Sequence, residues 1–429
     1  VTLTSELIRI DTTNRGSGDC RERPAAEYVA ERLGEVGLGA VLLESAAGRA
    51  NVVARIPGSQ PALPALLVHG HLDVVPAEAS DWTVHPFSGE VAEGVVWGRG
   101  ALDMKSMDAM MLAVVRAWQR DGRRPARDVV LAFTADEEDT GAYGAGWLVQ
   151  HHPELFEGCT QAIGESGGYS VHAEAQTGEA RRIYPVATAE RGTAWLRLVA
   201  RGRAGHGSQP NHENAVARLA AAVARIDAYT WPVRLTPTVR AALLGISEAL
   251  GVRYDAPGGA WTAAELGRAG ALVQATLANS ANPTMLEAGY KINVVPEEAV
   301  AHVDGRVLPG FEDEFRSTLD ELTGPFVSWR PVHWASPLEA PCDAPIFAAM
   351  RDALLAEDPE GHVVPYCMSG GTDAKNIARL GIACYGYTPL ALPPGSDYGA
   401  MIHAVDERVP VEALRFGTRV LDRFLLAAW

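Results

Sequence analysis

The chain has 429 residues, of which 47% are hydrophobic, 21% charged and 7% aromatic, with a formal net charge of -16. That length exceeds one ordinary hydrophobic core and points to two domains. The acidic surface argues against nucleic acid or an anionic membrane as the main partner. No apolar run reaches the ~18 residues that a membrane span needs. The five cysteines are scattered and lack C-x-x-C spacing, which argues against a disulfide framework or a thiolate metal site. No secretory leader pattern opens the chain, so the expected location is cytoplasmic, although the chain begins at Val1 without Met and a removed leader stays open.

Helical spacing of apolar residues predicts a helix over 24–36. Strands follow over 50–56 and 65–75, the second nearly all apolar, as in a parallel sheet buried on both faces. A long helix is expected over 104–120, with Asp103 placed to cap it. A strand over 129–134, a helix from 144–150 and a short strand over 161–163 continue the alternation. This is the pattern of an α/β sandwich.

The character changes after about residue 187. Half-exposed strands over 194–200 and 299–307 alternate with helices over 214–229 and 312–322, as in a compact α+β unit. Residues 232–285 have helical pieces but no clear place. From about 340 the α/β pattern returns, with a helix over 346–355, a strand over 382–386 and a last helix over 411–427. The expected organisation is a discontinuous main domain, 1–187 and 338–429, interrupted by an inserted domain, 188–337.

Chemistry-bearing residues gather where strands end. His71 and Asp73 follow the apolar run Leu66-Leu67-Val68. Residues i and i+2 of a strand share a face, so Asp73 can orient the His71 ring. Asp103 sits where a loop meets a helix. Glu137 and Glu138 close another apolar strand, and adjacent carboxylates repel unless a cation compensates. Glu165 ends a fourth strand, and His403 stands before the last helix. Mixed imidazole and carboxylate donors suit zinc, cobalt or manganese. So many acidic ligands suit two ions rather than one. His69 is recruited by nothing else in the pattern, and His151-His152 reads as exposed.

These pieces have a recognisable order: His71-Leu72-Asp73, Gly100-Ala101-Leu102-Asp103-Met104-Lys105, Asp136-Glu137-Glu138, Gly205-His206-Gly207-Ser208, Asn293-Val294-Val295-Pro296, Asp304-Gly305-Arg306, Gly370-Gly371-Thr372-Asp373 and Ile402-His403. The chain resembles the aminoacylase/carboxypeptidase family of dinuclear zinc hydrolases, which includes acetylornithine deacetylase and succinyl-diaminopimelate desuccinylase. The resemblance implies a zinc-exopeptidase-like α/β/α catalytic domain with an inserted lid or dimerisation domain. It implies two zinc ions, one on His71 and Glu165 and one on Glu138 and His403, with Asp103 and a water between them. By the same resemblance Glu137 is the general base, Asp73 orients His71, and His206 reaches the active site from the lid, across the subunit boundary in dimeric members. Asn293, Arg306, Gly371 and Thr372 hold the free carboxylate of a small-molecule or peptide substrate. Glu at position 165 and the Ala189-Glu190-Arg191-Gly192 stretch lean towards carboxypeptidases and aminoacylases. A biosynthetic deacetylase or desuccinylase is the alternative, and a non-catalytic peptide-binding relative is the reading from another class.

Overall fold

The computed structural model describes residues 1–16, 20–252 and 263–429. In chain order the main elements begin with helix α1 (Arg23–Gly34), strands β1 (Val41–Ala46), β2 (Arg49–Ile56) and β3 (Ala65–His71), and helix α2 (Lys105–Asp121). Strand β4 (Val129–Thr134), helix α3 (Ala145–His151) and strands β5 (Cys159–Gly164), β6 (Val171–Glu174) and β7 (Ala180–Glu190) complete the first part. Strand β8 (Gly192–Arg201), helices α4 (Ala215–Ala228) and α5 (Pro237–Leu250), strands β9 (Ser280–Ala288) and β10 (Glu298–Val307), helix α6 (Glu312–Thr323) and strand β11 (Val327–Ala335) follow. The chain ends with β12 (Leu338–Glu339), α7 (Pro345–Glu357), β13 (Gly361–Met368), β14 (Ala383–Gly386) and α8 (Val411–Leu426).

The large sheet runs β1-β2-β4-β3-β5-β14-β7-β12, with β6 and β13 also paired to β7. Its centre is parallel: β3 pairs in parallel with β4 and β5, and β14 with β5. Alternation along these strands feeds two apolar layers. Val52, Leu66, Val68 and Leu131 pack with α1, α2, α7 and α8 on one face, where Trp118 is fully buried. Val53, Leu67, Val130 and Ala132 pack with α3 on the other. The result is the expected α/β/α sandwich.

The four-stranded sheet, order β9-β10-β8-β11, is antiparallel throughout. Ala299, Ala301, Val303 and Val307 of β10 face α4 and α6. The intervening residues, Arg306 among them, stand on the open face, as the period-2 pattern requires.

The segment 232–285 divides. Thr236 caps α5 by accepting from the Val239 N–H, and α5 packs on β7 and β13 of the large sheet. Residues from 280 join the four-stranded sheet as β9, and 253–262 lie outside the described residues. Among the described residues no helix is long and apolar enough to cross a membrane.

Two sequence expectations change. The strand predicted over 65–75 ends at His71. Asp103 does not cap α2: the cap position is Met104, without a side-chain cap bond. The Asp103 carboxylate is instead drawn away from the helix to two imidazoles.

Candidate metal centre and substrate pocket

Strands β3, β4 and β5 are parallel neighbours, so their carboxyl ends meet at one edge, where open α/β sheets place their sites. His71 is the last residue of β3, Glu137 and Glu138 lie just past β4, and Glu165 follows β5. Asp103 enters from the loop before α2 and His403 from the loop before α8.

Asp103 is the centre of the cluster. One carboxylate oxygen lies 3.0 Å from His71 Nε2 and the other 3.1 Å from His403 Nε2. His403 Nε2 is also 3.1 Å from Glu138. On the other side, His71 Nε2 is 3.7 Å from Glu165 and 3.9 Å from Glu137. Ligand atoms of His71, Asp103 and Glu138 lie within 4.8 Å of one another, and so do those of His71, Glu137 and Glu165. The structure therefore brings together all five sequence-predicted metal ligands and Glu137.

The electrostatics call for a cation. Burial, then the charge of Glu165, pushes the Glu137 carboxyl well above its ordinary range. Burial and the charge of Asp103 push Glu165 up to about 8. Burial opposes ionisation of Asp103, yet hydrogen bonds from His403 and His71 hold it below the usual carboxylate range. The bonds to Asp103 and Glu138 raise His403 to about 10. Glu138 Oε1 is buried without a hydrogen-bond partner in the chain, a state that a native acceptor rarely tolerates unless an ion or an ordered water completes it. The donor set, two imidazoles and several carboxylates with no thiolate, fits divalent metals of the zinc type.

The surrounding loops are pinned by buried groups. His71 Nδ1 is 2.9 Å from the backbone carbonyl of Asp73 and 3.7 Å from its carboxylate. The Asp73 carboxylate instead accepts the backbone N–H groups of Glu137 and Glu138, at 3.1 Å each, and the Asn14 amide at 2.9 Å. Asp73 thus fixes the acidic turn as well as the ring.

Two anchors were not found from sequence. Glu407, fully buried, accepts from the backbone N–H groups of Gly100, Leu102 and Asp103 and pairs with Arg99 at 2.6 Å. Arg99 also donates to the His403 carbonyl, tying both metal-ligand loops together. Arg49 bridges Glu22 and Asp136 at 2.7 Å each. That clamp holds Asp136 at φ 65°, a conformation that non-glycine residues adopt at a cost and that turns the following Glu137. These partners lie dozens to hundreds of residues away, and no local spacing signals them.

Beside Glu137, a cavity of about 620 Å³ opens between the open face of the four-stranded sheet and the loop after β13. Arg306, Gly371 and Thr372 line it, as expected, together with Thr193, Lys375 and Arg379. Thr372 is already committed, because its N–H and hydroxyl both donate to buried Glu190, at 3.1 and 2.7 Å. His206 and Asn293 do not line the cavity. They are exposed neighbours at a small antiparallel strand pair, where Gly205–His206 pairs with Val294–Val295. His69 is buried against Gly164 with Nε2 unpartnered, outside the ligand groups.

Comparison with known proteins agrees with this arrangement. Aminoacylase-1 of Sus scrofa is 27% identical over 439 residues, covering 100% of this chain and 94% of the relative. The N-fatty-acyl-amino acid synthase/hydrolase of Homo sapiens is 28% identical over 380 residues, covering 83% of this chain and 73% of the relative. Among solved structures, an M20 family metallo-carboxypeptidase from Sulfolobus solfataricus superposes with a TM-score of 0.71 at 18% identity, covering 98% of this chain and 97% of that one. Human carnosine dipeptidase 1 superposes with a TM-score of 0.67 at 15% identity, covering 99% and 94%. The model of peptidase family M20/M25/M40 matches residues 67–427, a span that holds every candidate ligand. The chain belongs to peptidase family M20/M25/M40 and is a hydrolase of amide or peptide bonds.

Proposed function

We propose that this protein is a dinuclear metal amidohydrolase that releases an amino acid from an N-acyl amino acid or a short peptide, cutting the amide next to the free carboxylate. The observation that carries the reading is the adjacency of Glu137, inside a ring of five metal-type ligands, to a cavity walled by Arg306, Lys375 and Arg379. Cations beside a proton-transfer group suit a substrate whose scissile amide stands one carbon from an anion. The aminoacylase-1 relatives favour N-acyl amino acids over longer peptides.

His71 and Glu165 would hold one ion, Glu138 and His403 the other, and Asp103 would serve both. When bound, such a pair supplies Lewis acidity to the amide carbonyl and lowers the pKa of an attacking water. Zinc fits these donors, and cobalt or manganese would fit the same set. The chain's own residues do the rest. Glu137 accepts the proton of the attacking water and later delivers it to the leaving nitrogen. Its buried, charge-crowded carboxyl suits both directions of transfer. The Asp73 carboxylate keeps the Glu137-Glu138 turn in place through two backbone bonds. Arg306, whose Nε and one Nη are bonded to Asp304, would offer its remaining Nη to the substrate carboxylate. His206 would donate to the developing oxyanion from a lid, in the same chain or from a second copy of a homodimer.

The test is hydrolysis of a panel of N-acyl amino acids and dipeptides, before and after chelation and with zinc, cobalt or manganese restored. Metal-dependent release of a free amino acid supports the reading and names the acyl group. Metal-independent turnover, or equal cleavage of substrates with blocked carboxylates, would overturn it.

A further inference from the structure

Of the side chains that the sequence assigns to the carboxylate, none is both unpaired and at the cavity. Thr372 is committed to Glu190. Arg306 gives Nε and one Nη to Asp304, at 2.8 and 3.1 Å, and its other Nη to Thr193 at 3.2 Å. Asn293 stands beside the exposed strand pair, away from the cavity.

Lys375 is in the opposite condition. Its stem crosses Gly371, where an added Cβ would meet the lysine side chain, so only glycine leaves the passage open. Its half-buried ammonium reaches two neutral acceptors at long range, Gly370 carbonyl at 3.4 Å and Thr193 hydroxyl at 3.5 Å. Among the described residues no carboxylate lies within ion-pair distance of it. An ammonium has three donors and is strongly hydrated, so this is a poor resting environment. Burial accordingly pulls its pKa below the ordinary lysine range. Lys375 and Arg306 both reach the Thr193 hydroxyl, so the two cations converge on one point of the cavity beside Glu137.

We propose that Lys375 is the main anchor of the substrate's free carboxylate, with Arg306 and Thr193 completing the clasp. The proposal rests on the amidohydrolase reading and adds a binding residue to it. An incoming carboxylate would supply Lys375 with the charged acceptor it lacks and bridge to the Arg306 Nη that faces Thr193. A substrate whose carboxylate is converted to a carboxamide would leave the ammonium without that acceptor, and the enzyme would discriminate against it.

The experiment compares N-acetylalanine with N-acetylalaninamide in the metal-loaded wild type, Lys375→Met and Lys375→Arg. A hydrogen bond to a charged group, once lost, lowers affinity by about 10- to 100-fold. Lys375→Met should raise KM for the acid by that factor, leave kcat within a few-fold, and erase most of the preference for acid over amide. Lys375→Arg should recover part of both. The same pair of compounds is titrated calorimetrically into Glu137→Ala and Glu137→Ala/Lys375→Met protein, where turnover does not interfere. Loss of the acid's binding advantage in the double variant supports the anchor even if the wild type cleaves neither compound, a result that would sink the amidohydrolase reading alone. Unchanged KM and preference in Lys375→Met, or a fall confined to kcat, would overturn the assignment to Lys375 while leaving that reading intact.

Discussion

The strand-end floor and the small strand pair of Gly205–His206 with Val294–Val295 both carry candidate catalytic groups, and they are built in opposite ways. On the floor each group is held by buried partners: Asp73 by two backbone N–H groups, Asp103 by two imidazoles and the Glu407 loop, Asp136 by Arg49. On the strand pair His206 has one side-chain hydrogen-bond partner, Ser208 at 2.8 Å, and faces solvent. Buried networks fix geometry, whereas an exposed two-residue strand pair is cheap to move. The difference teaches that the candidate bond-making groups are preorganised here, while any contribution from the proposed lid would depend on motion or on a second copy.

The sharpest test of the floor is Glu137→Ala. Turnover of an N-acyl amino acid should fall by about 10²- to 10⁴-fold, with bound metal, measured by elemental analysis, unchanged. Loss of metal along with activity would mean that Glu137 is a ligand and not the proton carrier.

His206→Ala is the counterpart on the small strand pair. We expect kcat to drop about 10²- to 10³-fold, with Tm unmoved because an exposed side chain contributes little to stability. Mixing it with the Glu137→Ala protein separates two geometries. Recovered turnover places His206 in the site of a partner copy, and no recovery confines it to its own chain.

Glu407→Ala probes whether the floor is as rigid as its bonds imply. Removing one member of a buried ion pair that also holds three backbone donors should cost about 3–5 kcal/mol. Denaturant unfolding would read that loss, and metal affinity should weaken with it. A variant as stable as wild type would show that the loop is held by something else.

The smallest effect lies far from both regions. Asp358 accepts Arg182 twice at 2.6 Å and Tyr184 at 2.8 Å, and the Arg182 bonds hold its carboxyl below the ordinary range. A depressed acid contributes stability above its unfolded pKa and loses it as pH falls through the folded one. Asp358→Asn should therefore flatten the acid limb of the stability profile. The pair is partly exposed, so the change should stay below about 1 kcal/mol near neutral pH.

What could be read from sequence follows the range of the interactions. His71, Glu137, Glu138 and Glu165 were visible because an apolar strand ending in a titratable residue is a local pattern. Arg306 was named through the resemblance, since strand alternation, which puts it on the face opposite Ala301 and Val303, fits a surface arginine equally well. Asp103 was found but given a helix cap as well, since spacing alone cannot tell a cap from a ligand. Glu407, Arg49 and Asn14 were missed, as each acts through partners brought near only by the fold. Lys375 was missed because its meaning lies in partners it lacks. Residues 237–250 defied placement because their apolar face fits the large sheet although their neighbours in sequence belong to the small one.

Gly192 opens the four-stranded sheet directly after β7, and the return path runs beside it, with Thr193 opposite Ala335 and Leu338 opposite Glu190. A Cβ at 192 would fall 2.7 Å from the Pro337 ring and 2.8 Å from the Ala335 carbonyl. The two backbones thus cross the junction as one ribbon with no room for a side chain between them. Such a ribbon flexes across its flat face and resists shear along its length. Any rocking of the small sheet would be steered by that anisotropy, so a cavity mouth that moved would do so along one arc, with Thr193 and Glu190, next to the junction, travelling least.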